Sequence, residues 1–193
     1  MYIPSRIAAR LLLCCAVAAA PAFAFAQDAA PAKPAVGAQM TPSATYDKLL
    51  SGMEKEFVGA AEAMPEDKFS FAPPASAGDF KGVRSFGAQV KHVTEANYYF
   101  FGGLSEADMK AKADSLEKLT SKADIIQALK DSFTQAHTYV ASITPENAFV
   151  MTANGTRGGM AAFGIAHMMD HYGQMVVYLR MNGIVPPASR TGM

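Results

Sequence analysis

The sequence predicts an all-α protein, an antiparallel four-helix bundle, and three observations support this. Apolar residues recur at intervals of three and four along four separate segments, which is the period of an amphipathic helix. Prolines and glycines interrupt the chain between those segments. No segment combines strict alternation of apolar and polar residues with the β-branched enrichment of a strand. Four amphipathic helices bury their apolar faces most simply against one another.

The first 26 residues have the pattern of an export signal. Arg6 and Arg10 form a basic start, LLLCCAVAAA is an apolar run, and Ala-Phe-Ala at 24–26 supplies the small residues that a signal peptidase reads. Because the apolar run is short for a membrane span, a signal peptide over 1–26 is favoured over an uncleaved anchor. We therefore expect an exported, most simply periplasmic, protein without stable membrane insertion after cleavage.

Cleavage changes what chemistry the chain can perform. Cys14 and Cys15 are its only cysteines and both lie in the signal, so the mature chain forms no disulfide and has no cysteine nucleophile. The 17 basic and 17 acidic side chains balance before cleavage, and losing two arginines leaves a slight acidic excess. That charge gives no footprint for nucleic acid. Residues 27–44, rich in Ala and Pro, are expected to be a flexible linker before a bundle domain over 45–193.

The first two helices have clear limits in the sequence. An apolar stripe begins at Tyr46 and is ended by Pro65. After a loop with paired prolines and several glycines, Ser85 offers an N-cap for a second helix that runs to about Phe101. Gly-Gly at 102–103 closes it.

The other two helices follow a charged stretch at 105–119, which has room for a helical turn of its own. Ser-x-x-Asp at 121–124 resembles a capping box and starts the third helix, which Thr-Pro at 144–145 ends. The fourth and longest helix is predicted from about 158 to 182, with Gly183 at the position after its C-cap.

The string HMMDHYGQM at 167–175 places His167 and His171 one helical turn apart. Their spacing puts them on one face of the fourth helix with Met175 and Tyr178, so both histidines should face the core. A buried imidazole without a partner costs about 1–3 kcal/mol, and two side by side need a common explanation. Side chains four apart have Cβ atoms about 5–6 Å apart, which lets two ring nitrogens converge on one cation.

A third ligand must come from a facing helix, and the second helix offers His92 in FGAQVKHVTEANYYF. Three histidines leave open coordination positions, as catalytic metal sites do. Zinc, nickel or iron(II) would accept this set. Because imidazole must be neutral to bind, affinity is expected to fall as the pH drops through about 6.5. The fourth histidine, His137, continues an apolar row of the third helix and is predicted to be structural.

Other kinds of site are less well supported by these residues, or stay open as alternatives. A zincin helix needs a glutamate where this chain has Met168, a di-iron bundle needs inward glutamates that the fourth helix lacks, and no nucleophile elbow supports a Ser-His-Asp triad. The methionines of the fourth helix are better explained as core filler than as copper ligands. A histidine pair hydrogen-bonded to core carbonyls stays open as an alternative, and Asp170 and Gln174 could either orient the histidines or lie on a solvated flank.

Three strings resemble the DinB-like superfamily, also described as DinB/YfiT-like metalloenzymes. They are MPEDKFSF, VRSFGAQVKHVTEANYYF and HMMDHYGQMVVYLRMNGIVPPASR, and the resemblance extends from Thr45 to Arg190. It implies a four-helix bundle in which one histidine of the second helix and an H-x-x-x-H pair of the last helix bind a divalent metal. By position these are His92, His167 and His171.

The resemblance also implies a chemistry. Relatives include thiol-dependent S-transferases and a maleylpyruvate isomerase, in which the metal activates the thiol of a small cofactor such as bacillithiol, mycothiol or glutathione. Two hypotheses follow: a metal-dependent transferase or hydrolase acting on a small molecule, or an exported metal-binding or stress protein without turnover. The family name implies no DNA chemistry, and a homodimer through a helix face is expected by resemblance alone. An export signal sets this chain apart, since those thiols are mainly cytosolic.

Overall fold

The computed structural model describes residues 33–190. The predicted signal peptide and the first part of the predicted linker lie outside the described residues. The chain divides into two units, residues 1–38 and 39–193. In the first unit, the described residues contain one turn, at 36–37. The helical domain belongs entirely to the second unit.

Five α-helices form this domain, and residues 33–190 contain no β-strand. The helices are α1 (Pro42–Ala63), α2 (Phe86–Phe101), α3 (Glu106–Glu117), α4 (Lys122–Ala141) and α5 (Arg157–Met181). Short 3-10 turns lie at Glu66–Lys68, Ala75–Ala77 and Pro187–Ser189. The four predicted helices are confirmed as α1, α2, α4 and α5.

Each helix begins after a serine or threonine whose side chain accepts a hydrogen bond from a backbone N–H of the first turn. The five capping residues are Thr41, Ser85, Ser105, Ser121 and Thr156. The predicted caps before α2 and α4 are thereby confirmed. The first helix starts at Pro42, four residues before Tyr46, where the predicted stripe begins, because the cap is followed by a proline, which suits the first helical position.

The bundle is arranged so that α1 and α2 each pack against both α4 and α5. At the start of α4, the Lys122 ammonium donates to the carbonyls of Glu62 and Met64 at the end of α1. These two helices are therefore antiparallel. Helices α2 and α5 are antiparallel as well, since Gly164 near the start of α5 lies against Phe101 at the end of α2.

The remaining two sides of the bundle pair helices that run in the same direction. Near the starts of α1 and α5, the Tyr46 ring lies against Gly158. Along α2 and α4, the Asn97 amide donates to Ser132 and the Gln135 amide donates to the carbonyl of Phe101, so sequence position advances in step on both helices. A chain that enters two successive bundle helices from the same end needs a segment that carries it back.

Helix α3 is that segment, and it runs antiparallel along α2. Lys112 lies over the ring of Tyr98, and Lys91 near the start of α2 donates to the carbonyl of Glu117 at the end of α3. The sequence indicated a charged stretch with room for a helical turn here, whereas the structure has a helix of 12 residues. Apolar periodicity could not show it because Leu116 is its only buried residue. Its stability comes instead from the cap, an i,i+4 ion pair and contact with α2.

The core is apolar and aromatic. Its largest fully buried side chains include Phe57, Phe86, Phe101 and Phe133, from three of the bundle helices. Within α5, Met160, Met168 and Met175 are buried in this core, which confirms the interpretation of these three methionines as filler. Among the described helices, none has the length and apolar content that crossing a membrane would require.

Candidate metal centre

The structure brings His92, His167 and His171 together between α2 and α5. One ring nitrogen from each histidine lies within 4.8 Å of the other two. The ring centroids of His167 and His171 are 4.6 Å apart, and that of His92 lies 4.8 Å from His171 and 5.2 Å from His167. Three neutral imidazoles in contact form a set of ligands that suits a divalent transition metal.

The close approach of α2 and α5 depends on Gly164, one turn before His167. A Cβ atom added at Gly164 would lie 2.6 Å from Cζ of Phe101 and 3.0 Å from Cβ of Phe100. Only glycine leaves room for the two aromatic residues at this crossing. The distance between the helices, and with it the position of His92 opposite the pair on α5, is set by this contact.

His171 is oriented by a chain of side-chain hydrogen bonds. Its Nδ1–H donates to Oε1 of Gln89 at 2.5 Å, and the Gln89 amide donates to Oε1 of Gln174 at 2.7 Å. The Gln174 amide in turn reaches the exposed carboxylate of Asp170 at 3.4 Å. With a proton on Nδ1, the His171 Nε2 is an acceptor that can bind a cation. The role suggested for Gln174 is thus indirect, because it positions Gln89, and Gln89 contacts the histidine.

His167 provides the strongest evidence that the three histidines suit a bound cation. Its Nε2 is buried and has no hydrogen-bond partner within residues 33–190. A buried polar atom left unpaired costs about 1–3 kcal/mol, and buried polar groups are nearly always satisfied. A hydrogen bond to a core carbonyl, the alternative explanation for the pair, is not found at this nitrogen. The residues present therefore fit a bound cation.

The electrostatics of the site keep the imidazoles neutral. Burial lowers the pKa of His92 from 6.5 to about 4, with further lowering by Arg84 and the other two histidines. Burial, followed by His167, likewise lowers the pKa of His171 to about 4. The pKa of His167 is also lowered, chiefly by burial. Near neutral pH the nitrogen lone pairs are free of protons and available to a cation.

These lowered pKa values move the expected decline of metal affinity to a lower pH. Protons compete with the metal only below the pKa of a ligand, so the decline in affinity should lie below pH 6.5 and be steepest as the pH approaches about 4. The sequence placed this decline near 6.5 because it gave no measure of burial. Titration with a fluorescent zinc competitor at several pH values measures the window. A midpoint at 6.5 would mean that the rings are solvated in the metal-free protein.

Gln89 should control the affinity of the site without being a ligand. Gln89→Leu removes the acceptor for the His171 Nδ1–H, and we expect zinc affinity to fall by about 10–100-fold. Gln89→Glu keeps an acceptor oxygen and should retain most of the affinity. Gln127→Leu, at an exposed position of α4, is the control. Competition titrations, with urea unfolding of each variant, separate a loss of affinity from a loss of stability; equal affinities in all four proteins would argue against the positioning role.

Two cavities meet at His92, and their walls include residues that sequence reasoning did not select. The charged cavity, of about 410 Å³, is lined by Arg84, Lys91, His92 and Glu95 on the α2 side and by Asp114 and Glu117 of α3. The aromatic pocket, of about 220 Å³, is lined by His92, Glu95, Ala96, Tyr99, Phe100, Met109 and His167. The only sequence signal for Glu95 is its position one turn after His92; the contribution of α3 had none.

His137 lies elsewhere, between α4 and α1. Its Nδ1 is 2.6 Å from Oδ1 of Asp47 and its Nε2 is 3.0 Å from Oε2 of Glu54. Burial lowers the pKa of His137, but hydrogen bonds and charge from the two carboxylates outweigh burial, and the net pKa is raised. Both ring nitrogens are therefore engaged in joining two helices, which supports a structural role.

Comparison with known proteins places the chain in a family. Residues 49–175, about two thirds of the chain, match the family model described as the DinB superfamily. The match includes all three clustered histidines. A search of curated proteins finds no match. The helical bundle and the extent of the match agree, and the chain belongs to the DinB superfamily.

Proposed function

We propose that this protein is a metal-dependent enzyme of the S-transferase or hydrolase type, with one divalent cation held by His92, His167 and His171. The observation that carries the proposal is the cluster of three imidazoles with an unpaired buried nitrogen at His167. Two cavities reach His92, and a small molecule can approach the histidine cluster through them. Zinc, nickel and iron(II) all suit this ligand set.

The chain's own residues supply binding, orientation and a proton acceptor. The Gln89 amide fixes the tautomer of His171, and the packing at Gly164 holds His92 opposite the α5 pair. A bound divalent cation would lower the pKa of a thiol or water and so make it nucleophilic near neutral pH. Glu95 lines both cavities beside His92, is half-buried, and makes no side-chain hydrogen bond or ion pair within residues 33–190. We assign it the acceptance of the released proton.

A small-molecule thiol is the favoured thiol nucleophile because the chain after the predicted cleavage site has no cysteine. Cys14 and Cys15 are the only cysteines of the chain, and both precede residue 27. Bacillithiol, mycothiol and glutathione are the classes of thiol to test first. An exported protein would meet such a thiol only where the thiol is itself exported, so hydrolysis with water as the nucleophile is tested in the same experiment.

The test begins with metal content and continues with turnover. Protein purified with its metal is assayed for transfer of each thiol to 1-chloro-2,4-dinitrobenzene and for hydrolysis of p-nitrophenyl acetate. We expect turnover that a chelator abolishes and zinc restores, and that Glu95→Gln lowers at least about 100-fold while metal content stays the same. Glu56→Gln, on α1, is the matched control. A full equivalent of metal with no turnover in any assay would identify the chain as a metal-binding protein without catalysis.

We further propose that the protein is exported and acts in the periplasm. The support is the basic start, apolar run and Ala-Phe-Ala at 24–26. Intact-mass measurement of the protein from a periplasmic fraction should give a chain that begins at or near Gln27. Replacing Ala24 and Ala26 by bulky residues should cause the precursor to accumulate, because the peptidase requires small side chains there. Recovery of the full-length chain from the cytoplasm would refute export.

A further inference from the structure

The charged side chains that line the charged cavity differ in whether they are paired with other groups of the protein. The Lys91 ammonium donates to the carbonyls of Glu117 and Leu119, at 3.1 and 3.3 Å, and lies 4.0 Å from the Glu117 carboxylate. The Asp114 carboxylate accepts from Lys110 at 2.7 Å. Lys91 therefore holds the end of α3 against α2, and the Lys110–Asp114 pair lies within α3. The guanidinium of Arg84, in contrast, makes no ion pair or hydrogen bond within residues 33–190.

The position of Arg84 is fixed although its side chain is exposed. The hydroxyl of Tyr178, a buried residue of α5, donates to the carbonyl oxygen of Arg84 at 3.1 Å. The next residue, Ser85, is the N-cap of α2. The backbone at this point is therefore anchored on the core at both helices that carry the histidines. From there the guanidinium lines the same cavity as His92, and its positive charge acts on all three imidazoles.

The aromatic pocket, which also reaches His92, has a mostly apolar lining in place of a charged one. Tyr99, Phe100 and Met109 form its apolar wall. Its volume of about 220 Å³ exceeds the roughly 150 Å³ that accommodates benzene in an engineered protein cavity. A phenyl ring or a short branched chain would fit there, and the edge shared by the two cavities is formed by His92 and Glu95.

We propose that the substrate is an organic anion with an apolar or aromatic part, whose carboxylate is bound by Arg84 and whose apolar part enters the aromatic pocket. This rests on the proposed function, because it places the reacting atom at the edge shared by His92 and Glu95. A planar guanidinium pairs with a carboxylate through two parallel hydrogen bonds, which favours a carboxylate over a neutral amide of the same shape.

The test uses three probes: 4-phenylbutyrate, its neutral amide 4-phenylbutyramide, and butyrate, which lacks the ring. Calorimetric titration of the zinc-loaded protein should show 4-phenylbutyrate binding at least about 10-fold more tightly than the amide. Arg84→Gln should remove that difference, while Arg84→Lys should keep part of it. Tyr99→Ala should weaken both phenyl compounds and leave butyrate unchanged. Lys81→Gln, an exposed charge on the same loop, is the control and should behave as wild type.

Equal affinity for 4-phenylbutyrate and its amide, or an unchanged preference in Arg84→Gln, would overturn the assignment. So would a carboxylate affinity that depends on zinc and not on Arg84, since the anion would then bind the cation itself. Metal content is measured first for every variant. A wild-type protein that binds no metal refutes the proposed function, and the same titrations on metal-free protein then decide the role of Arg84 separately.

Discussion

Alanine at His92, His167 or His171, one substitution at a time, is expected to lower zinc affinity by more than about 100-fold, whereas alanine at His137 leaves it unchanged. Loss of a residue that merely orients a ligand costs about 10–100-fold, so loss of a ligand should cost at least the upper end of that range. One ring nitrogen of each histidine lies within 4.8 Å of the other two, so all three can contact the same cation. Their effects should therefore be similar in size.

His137→Ala is the matched control because its effects should appear in a different measurement. It removes the hydrogen bonds to Asp47 and to Glu54, which lies two turns further along α1. The substitution should therefore lower the free energy of unfolding. Metal content by elemental analysis, zinc affinity by competition titration and folding by circular dichroism are measured for all four variants. Equal losses of affinity in all four, or no loss in the first three, would show that the clustered histidines are structural residues of the core.

The second large effect is expected at Gly164. Gly164→Ala adds a Cβ 2.6 Å from Phe101 Cζ and 2.8 Å from its Cε2, and Phe101 is only 1% exposed and cannot move away. Overpacking of this kind costs about 1–3 kcal/mol, against a gain in helix propensity of at most about 1 kcal/mol. We expect net destabilisation for alanine and a loss of about 3 kcal/mol or more for valine, measured by urea unfolding of the metal-free protein.

The same substitutions should weaken zinc binding, since any outward shift of α2 moves His92 away from His167 and His171. Gly173→Ala is the control on the same helix: no atom lies within 4 Å of the added Cβ, so it should stabilise the protein by up to about 1 kcal/mol and leave zinc affinity unchanged. If Gly164→Ala were as stable as Gly173→Ala, the two helices would have to separate freely at this crossing, and the packing argument would be wrong.

The bundle helices were predictable because the signals that define them are local. A stripe of apolar residues, a serine or threonine before it and a proline or glycine after it lie within a few residues of the helix they specify. Gly183, predicted to follow the last helix, has φ +72° in the structure. Helix α3 was predicted as no more than a helical turn, because it buries one side chain and therefore leaves almost no apolar period to detect.

The three histidines of the candidate site could be predicted from the sequence, whereas the residues that contact or surround them could not. His167 and His171 share a helical face by spacing alone, and the need for a third imidazole from a facing helix selects His92. No local pattern links Gln89 to His171, 82 positions later, or brings Arg84 beside the charged cavity. Their roles come from contacts between helices, which sequence spacing within one helix does not encode.

By itself, the sequence determined the helical class, the four bundle helices with their approximate limits, and the identity of three histidines with ligand character. Tertiary structure alone decided that α2 and α4 run in the same direction, that α3 carries the chain back between them and lines a cavity, and that burial lowers the pKa of His92 and His171 to about 4. The physical reason is range. Helix formation depends on neighbours three or four residues away, whereas direction, burial and the field at a buried ring depend on residues brought together only when the chain packs.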